Sequence, residues 1–513
     1  MFITENQGKK ATAWILGDQL LKQHPALEVG VTAQQAGKPG VLLIESQHLL
    51  GRRRWHPWKL VLILSAMRHY AERLRKSGYS VDYRQAPTFL EGIQDHIKKH
   101  QPDKLICMAS SNFQARKFQE DSLPVHLDIP IQVLPNSQFL VERHNPYPDL
   151  PDEKNIRQES FYRRLRRHFS VLLDEDGEPL GGQWNYDAQN RKPLPAELPI
   201  PEALAFPPDR ITREVIQELE PHHTHAGDDR FNYAVDHRGA ARALEDFLSN
   251  RLADFGAYED AMTSRSRIVF HSLLSPYLNL GLLDPLEVVQ AAERAYLEGS
   301  APLNAVEGFI RQVLGWREYI YWQYWRLFPT LLHSNHLEAD RDLPDFFWSG
   351  DAGLNCLAVV LQRALQSGYN HHIERLMVLS NFCTLAGIQP QQVLEWFMAT
   401  YLDAYPWVMA PNLIGMGLYA DGGRIGTKPY VSSANYINKM SDYCQDCGYD
   451  HKLRSGEQAC PFNYLYWNFL IEQKSKLRSN PRMNLSLANL EKLDSQEKKA
   501  IQDQASLFLS DLN

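Results

Sequence analysis

The chain has 513 residues, 44% of them hydrophobic, and a formal net charge of −7, which excludes a single small module and a globally basic nucleic-acid binder. No run approaches the roughly 18–20 apolar residues of a membrane span, and the opening "MFITENQGKKATAWILGDQL" has no apolar leader core. A soluble, cytoplasmic protein with reduced thiols is expected, and any nucleic-acid surface on it must be local.

Residues 1–140 alternate short apolar runs with helical patterns. "TAWILG" (12–17), "VLLIE" (41–45), "YSVDYR" (79–84), "KLICMA" (104–109) and "IQVL" (131–134) read as strands. Residues 60–76 and 87–99 carry apolar positions at helical spacing. Strands alternating with helices predict an α/β domain with a doubly wound parallel sheet. Such sheets bind ligands beyond the carboxyl ends of their strands, where "GDQL" (Gly17–Leu20) lies. Cys107 falls in a buried strand and reads as a core thiol.

Residues 141–230 hold little strand pattern and much Pro, Asp and Arg, as a connector would. Arg163, Arg164, Arg166 and Arg167 lie close together in "RQESFYRRLRRHF". They are either a solvated helix face or a phosphate-contacting patch. From 231 to 513 the chain reads as helices joined by Pro/Gly turns, at 240–254, 285–298, 303–327, 354–367, 371–387 and 390–401. That makes a large all-α domain. It is rich in tryptophan, with seven of the eleven at or after Trp316.

Four constellations in this half carry chemistry. In "FHSLLSPYLNLGLL", Ser272, Ser275 and nearby N–H groups either cradle a phosphate or form an ordinary helix cap with Pro in the first turn. Glu307, Arg311, Leu314 and Glu318 follow a 4-3-4 spacing and share one face of a regular helix, as a surface ion-pair ladder or a polar ligand site. "YNHHIERLM" sets His371 and His372 before Glu374 and Arg375. Neighbours on a helix point about 100° apart, so the two serve one metal poorly, but beside a cofactor they supply protons near neutral pH. Last, Cys444, Cys447 and Cys460 follow C-x2-C-x12-C with a proline after the third. Zinc wants four Cys or His ligands, and an iron–sulfur cluster uses a C-x2-C pair, a distant cysteine and a Cys-Pro step. Three buried unpaired thiols are the alternative. The fourth ligand is to be sought among Cys107, Cys356, Cys383 and a histidine such as His451.

The ordered segments "ILGDQL", "LSAMRHY", "GGQWNYDAQNR", "HSLLSPYLNLGLL", "APLNAVEGFIRQVLGWREY", "HHIERLM", "ADGGRIGTKPY", "NYINKMSDYC" and the cysteine spacing span nearly the whole chain. Together they resemble the iron–sulfur bacterial branch of the photolyase/cryptochrome superfamily, which comprises prokaryotic (6-4) photolyases and related bacterial cryptochromes. The resemblance implies three parts: an antenna-binding α/β domain over 1–140, a connector with a basic patch over 141–230, and a helical FAD-, DNA- and cluster-binding domain over 231–513. It makes the metal a [4Fe–4S] cluster on Cys356, Cys444, Cys447 and Cys460, leaving Cys383 as a core thiol. It places FAD against Tyr258, His271, Ser272, Leu273, Leu274, Ser275, Glu307 and Arg311, with Arg375 and Asp403 as the ion pair beside the isoalloxazine. Trp396, Tyr436 and Trp348 match a photoreduction chain. Gly17, Asp18, Gln19 and Glu45 become contacts for an antenna chromophore such as 6,7-dimethyl-8-ribityllumazine. Two positions depart from the pattern: Leu49 stands near an expected acidic residue, and Met409 stands where a polar residue usually faces flavin N5.

The activity implied is light-driven repair. Excited reduced FAD gives an electron to a (6-4) pyrimidine–pyrimidone lesion flipped out of DNA, His371 or His372 donates a proton, and the electron returns. The protein is then a monomer acting on UV-damaged DNA, single- or double-stranded, with Arg163, Arg164, Arg166, Arg167 and Tyr430 as DNA contacts and no membrane partner. Two other readings stand beside it. One is a cryptochrome-type blue-light photoreceptor on the same scaffold, against which the intact histidine pair weighs. The other is a non-catalytic iron–sulfur nucleic-acid module, which would carry no flavin.

Overall fold

The computed structural model describes residues 10–32, 38–151, 154–219 and 231–512. The leader argument at residues 1–9 and parts of the expected connector at 152–153 and 220–230 lie outside them. The chain forms two compact units, each built from three stretches. The first takes 1–148, 204–246 and 273–291, and the second takes 149–203, 247–272 and 292–513. Neither boundary of the expected three-part division coincides with these units, and 141–230 makes no unit of its own.

The first unit holds five strands: β1 (Ala11–Trp14), β2 (Gly40–Ser46), β3 (Val81–Ala86), β4 (Lys104–Met108) and β5 (Ile131–Leu134). They form one sheet in the order β3-β2-β1-β4-β5, with every neighbour parallel. This is the doubly wound sheet expected from the Val/Ile/Leu-rich runs, which suit strands covered on both faces. The order reverses beside β1, so "GDQL" sits at the topological switch point. The helix Pro57–Lys76 starts on a His56 side-chain cap with Pro in its first turn, and Arg73, Arg75 and Lys76 oppose the dipole at its end. Trp14, Leu42, Ile44, Leu105 and Cys107 form the sheet core, and burial pushes the Cys107 thiol up to about 12. Part of the expected connector belongs here. The helix Arg210–Leu219 packs on Pro57–Lys76 through Arg68–Glu218 at 2.6 Å and His69–Asp209 at 2.7 Å.

The second unit is helical. Its helices include Leu252–Tyr258, Leu303–Ile310, Glu318–Leu327, Asn355–Ser367, Asn381–Ala386 and Pro390–Thr400. A Cβ on Gly256 would lie 2.5 Å from Ala305 Cα, so the first two of these meet backbone to backbone. Two stretches expected as regular helix are instead π-helical, Arg311–Arg317 and Glu374–Ser380, and a third π segment, Pro411–Gly417, lies beyond the expected helices. A π turn inserts one residue into the spiral and re-aims the side chains beyond it, commonly at a functional site. The 4-3-4 face drawn through Glu307, Arg311, Leu314 and Glu318 therefore breaks after Arg311. The Glu307–Arg311 pair survives at 3.4 Å, while Glu318, fully buried, pairs with Arg317 at 2.5 Å. Among the described residues no helix is long and apolar enough to cross a membrane.

Candidate active site

Three imidazoles meet in the second unit. His371 precedes the first helical residue and is buried, while His372 opens the helix with its side chain 49% exposed. His271, from a separate stretch, stacks on His371 with ring centroids 4.5 Å apart and planes 15° apart. Their nitrogen atoms approach within 4.8 Å of one another. The 100° argument against a shared metal on His371 and His372 does not apply, because His371 lies outside the helix. The parallel stacked rings of His271 and His371 aim their in-plane lone pairs side by side, which suits those two poorly to one ion.

Hydrogen bonds set the roles of these rings. Burial pushes His271 down to about 3, so it is neutral at cellular pH. Its Nδ1 faces the Ile268 carbonyl at 2.9 Å and must donate, which leaves Nε2 as an acceptor. That nitrogen lies 3.3 Å from His372 Nδ1, which donates to it. His372 Nε2 faces Asp260 Oδ1 at 3.6 Å. Both nitrogens of His372 thus face acceptors, and the ring has a place for a proton on each. Asp260 also accepts from Tyr436 Oη at 3.3 Å. His371 is held differently, with no hydrogen bond on either nitrogen and its basicity driven well below the usual imidazole range by burial.

One turn on, Arg375 donates to both oxygens of Asp403 at 2.9 and 3.2 Å. Its guanidinium lies 3.9 Å from the Tyr401 ring centroid. Its Nε bonds to the Asn370 carbonyl at 2.8 Å, which ties the ion pair to the residue before His371. Glu307, fully buried, accepts from Tyr162 Oη and the Tyr186 N–H at 3.1 Å each. Arg311 reaches Glu307, Asp187 and, at 3.8 Å, Glu259. Burial raises Glu259 to about 7, and its Oε2 has no partner. Arg311 Nε and Nη2 likewise make no hydrogen bond of good geometry. Buried polar atoms without partners are costly, and those gathered here match a polar ligand. Tyr258 packs on Phe270, with centroids 5.6 Å apart. Ser272 closes a stretch of this unit. Leu273, with a left-handed φ of 59°, Leu274 and Ser275 belong to the first unit. Ser275 lies inside the helix Ser275–Leu280 rather than capping it.

Trp396 is fully buried, and its Nε1 donates to the Phe347 carbonyl at 2.8 Å, next to the half-buried Trp348. Its ring also lies 5.8 Å from that of Tyr401. A line of rings and one peptide therefore leads from Trp348 through Trp396 and Tyr401 to Arg375. Tyr436 sits on the other side, at Asp260.

Cys356, Cys444, Cys447 and Cys460 line a single cavity with Tyr443, Tyr449 and His451. Cys356 comes from the helix Asn355–Ser367, and the other three flank a turn-rich segment. Burial raises the Cys356 thiol well above its usual range, and the three neighbouring sulfurs raise it further. Of the four candidate fourth ligands, Cys356 and His451 line this cavity. Cys107 sits in the sheet of the other unit, and Cys383 is buried in the helix Asn381–Ala386.

The other expected contacts differ in how accessible they are. Arg166 is 1% exposed and donates to the Val171, Trp184 and Leu172 carbonyls at 3.1, 3.0 and 2.6 Å, so it anchors the fold and cannot reach phosphate. Arg163 pairs with Glu159 at 2.8 Å. Arg164 and Arg167 are exposed, the latter over the Trp184 ring at 4.6 Å. In the first unit Gln19 is buried and bonds to the Ala109 carbonyl at 2.9 Å. Glu45 is saturated by Arg68, Tyr83 and Gln85. Gly17 lies against Met67. Asp18 is hydrogen-bonded by Ser111, and burial raises it to about 6. Around Tyr430, half-buried, gather cations that sequence reasoning passed over: Arg191, Lys428 and Arg482. They are far apart in the chain, and only the fold assembles them. Asp260 was overlooked as well, although it lies two residues after Tyr258.

A family model described as deoxyribodipyrimidine photo-lyase-related protein matches residues 13–233. A (6-4) photolyase of Agrobacterium fabrum is 42% identical over 508 residues, covering 97% of this chain and 99% of that one. Two solved structures share the fold. A class III photolyase from Agrobacterium tumefaciens has a TM-score of 0.55 at 16% identity, over 95% of this chain and 98% of that one. A cryptochrome from Synechocystis has a TM-score of 0.57 at 16% identity, over 95% and 99%. With this fold, and with that identity to a (6-4) photolyase along almost the full length of both chains, the chain belongs to the (6-4) photolyase branch of the photolyase/cryptochrome family.

Proposed function

We propose that the protein repairs (6-4) pyrimidine–pyrimidone photoproducts in UV-damaged DNA, using light. The observation that carries this reading is the half-exposed His372, held between neutral His271 and Asp260. When bound, FAD supplies the photoexcited electron. The chain's own residues do the rest. Arg375 and Asp403, with Glu307, Arg311, Glu259, Tyr258 and Ser272, hold the cofactor, and the unpartnered Glu259 Oε2 and the weakly bonded Arg311 Nε and Nη2 fit its polar groups. Asp260 and His271 orient His372, whose Nε2 proton is the one available to the lesion. His371, buried and neutral, supports His271 by stacking. Tyr430 shapes the lesion pocket, and Lys428, Arg191 and Arg482 meet phosphate, joined by Arg164 and Arg167. The test is illumination of reduced protein with a (6-4)-containing oligonucleotide. Light-dependent return of the two pyrimidines supports the reading, and repair equally fast in the dark contradicts it.

The same reading gives the cysteine cavity a [4Fe–4S] cluster. Four thiols on one cavity match its ligand demand, and no step of repair is assigned to it. The antenna fits less well. Both Glu45 oxygens and the Gln19 amide nitrogen are committed to protein partners, so a ribityllumazine would be left with Gly17, Asp18 and the unpartnered Gln19 Oε1 of the expected contacts.

Two of these placements can be measured separately. Trp396→Phe is expected to stop light-driven reduction of the oxidised flavin while sparing repair by chemically reduced protein, because the path from Trp348 to Arg375 loses its indole. Unchanged photoreduction, followed by flavin absorbance, would mean another path. Lys428→Ala is expected to weaken DNA binding and lower the log–log salt slope by roughly 0.9, the share of one phosphate contact. An unaltered slope in a binding titration removes Lys428 from the DNA surface.

A further inference from the structure

We propose that Tyr443 is a positioning residue: it couples the four-cysteine cavity to the histidine pair through Glu374, and withholds that carboxylate from His371. Tyr443 lines the cavity and immediately precedes Cys444. Its carbonyl accepts from Asn355 Nδ2 at 2.8 Å, and Asn355 immediately precedes Cys356. The cavity thus grips Tyr443 from both of its chain segments. The hydroxyl points the other way and donates to Glu374 Oε1 at 2.6 Å. Arg363, on the Cys356 helix, donates to the same oxygen at 2.7 Å and to the Tyr443 hydroxyl at 3.0 Å.

Glu374 is fully buried, and its other oxygen accepts from Asn370 Nδ2 at 2.8 Å. Asn370 is in turn fixed by Tyr401, whose hydroxyl donates to Asn370 Oδ1 at 2.8 Å. The residue before the histidine pair is therefore pinned to the carboxylate that Tyr443 holds. His371 Nε2 lies 3.7 Å from Glu374 Oε1 without bonding to it. A carboxylate oxygen has two lone pairs in reach of donors, and here Arg363 and Tyr443 use both. With one released, Glu374 is the nearest anion to His371. The other charged or titratable groups facing that ring are His271, His372, Arg363 and Arg375, none of them anionic. An imidazole pulled to Glu374 would leave its stack on His271 and disturb the bond from His372.

This coupling rests on the proposed role of the histidines in repair, so its test uses a readout apart from activity. Tyr443→Phe keeps the ring and removes the hydroxyl. In the flavin- and iron-loaded protein, histidine NMR is followed from about pH 5 to pH 8, with the His371 signal assigned by its absence in His371→Gln. In the wild type that signal is expected to stay still. In Tyr443→Phe it is expected to titrate, with iron content and lesion affinity unchanged and repair per absorbed photon down about tenfold. Adding Glu374→Gln should abolish the titration, because a neutral amide cannot hold an imidazolium. Arg363→Lys, which thins the donors to the same oxygen from the other side, should reproduce it and serves if Tyr443→Phe does not fold. A still His371 signal in both variants, or loss of iron in a folded Tyr443→Phe, overturns the positioning role. Absence of repair in the wild type bears on the proposed function and leaves the titration to decide the coupling.

Discussion

Replacing His372 by alanine is expected to lower repair by at least about 100-fold, the usual share of a general acid, with flavin content and lesion affinity retained. His372 makes its polar contacts through its two ring nitrogens, to His271 and Asp260, and its side chain is half in solvent, so its loss opens no core cavity. A lesion that must gain a proton before its transferred group moves then finds no donor. The buried neighbour cannot substitute, because burial and the surrounding cations hold His371 far from a charged state at cellular pH. His371→Ala is expected to do less: it removes the ring stacked on His271 and so loosens the acceptor of His372 rather than the donor itself. Single-turnover repair of bound lesion DNA separates the two. Repair by His372→Ala within threefold of wild type would place the donor elsewhere.

Cys356→Ala is expected to yield iron-free or insoluble protein. Cys356 is the one cavity cysteine carried by a helix, and through the proposed cluster it would tie that helix to the segment holding Cys444, Cys447 and Cys460. A metal site bound only in the folded state contributes directly to folding, so the loss falls on the whole unit. Cys383→Ala is the matched control. That thiol is also buried but stands apart from the cavity lining, and its replacement should cost about 1 kcal/mol with iron retained. Full iron in purified Cys356→Ala would pass the fourth position to His451.

Much of the first unit was legible. All five strands fall within three residues of where the apolar runs place them, because buried parallel strands advertise themselves in Val, Ile and Leu. The route of the chain between the two units was not. The stretch 204–246 joins the sheet unit through long-range pairs such as Arg68–Glu218, and nothing local in sequence announces such pairs. Three of the four cavity cysteines stood out by their C-x2-C-x12-C spacing, only Cys356 came from resemblance, and all four line one cavity. In the helical unit two π stretches, Arg311–Arg317 and Glu374–Ser380, defeated reasoning from a 3.6-residue period, which is why the shared face drawn through Glu307 and Glu318 does not hold. Arg166 was misread for a different reason. Four arginines look alike in a charge run, yet Arg166 comes four residues after Tyr162 and shares the buried face of Phe161, Tyr162 and Leu165. That spacing was a usable signal. Glu374 gave none, since a glutamate in "HHIERLM" reads as a surface charge until Arg363, Asn370 and Tyr443 close around it.

The most direct test is a competition between two lesions. Purified protein, flavin-reduced and illuminated, is given one oligonucleotide with a (6-4) photoproduct and another with a cyclobutane dimer, and chromatography tracks both. A cyclobutane dimer needs no proton donor to split, whereas a (6-4) lesion does, and His372 is the residue proposed to supply one. The expected result is light-dependent repair of the (6-4) lesion with the cyclobutane dimer left intact. Repair of the cyclobutane dimer alone, or of neither lesion, would contradict it.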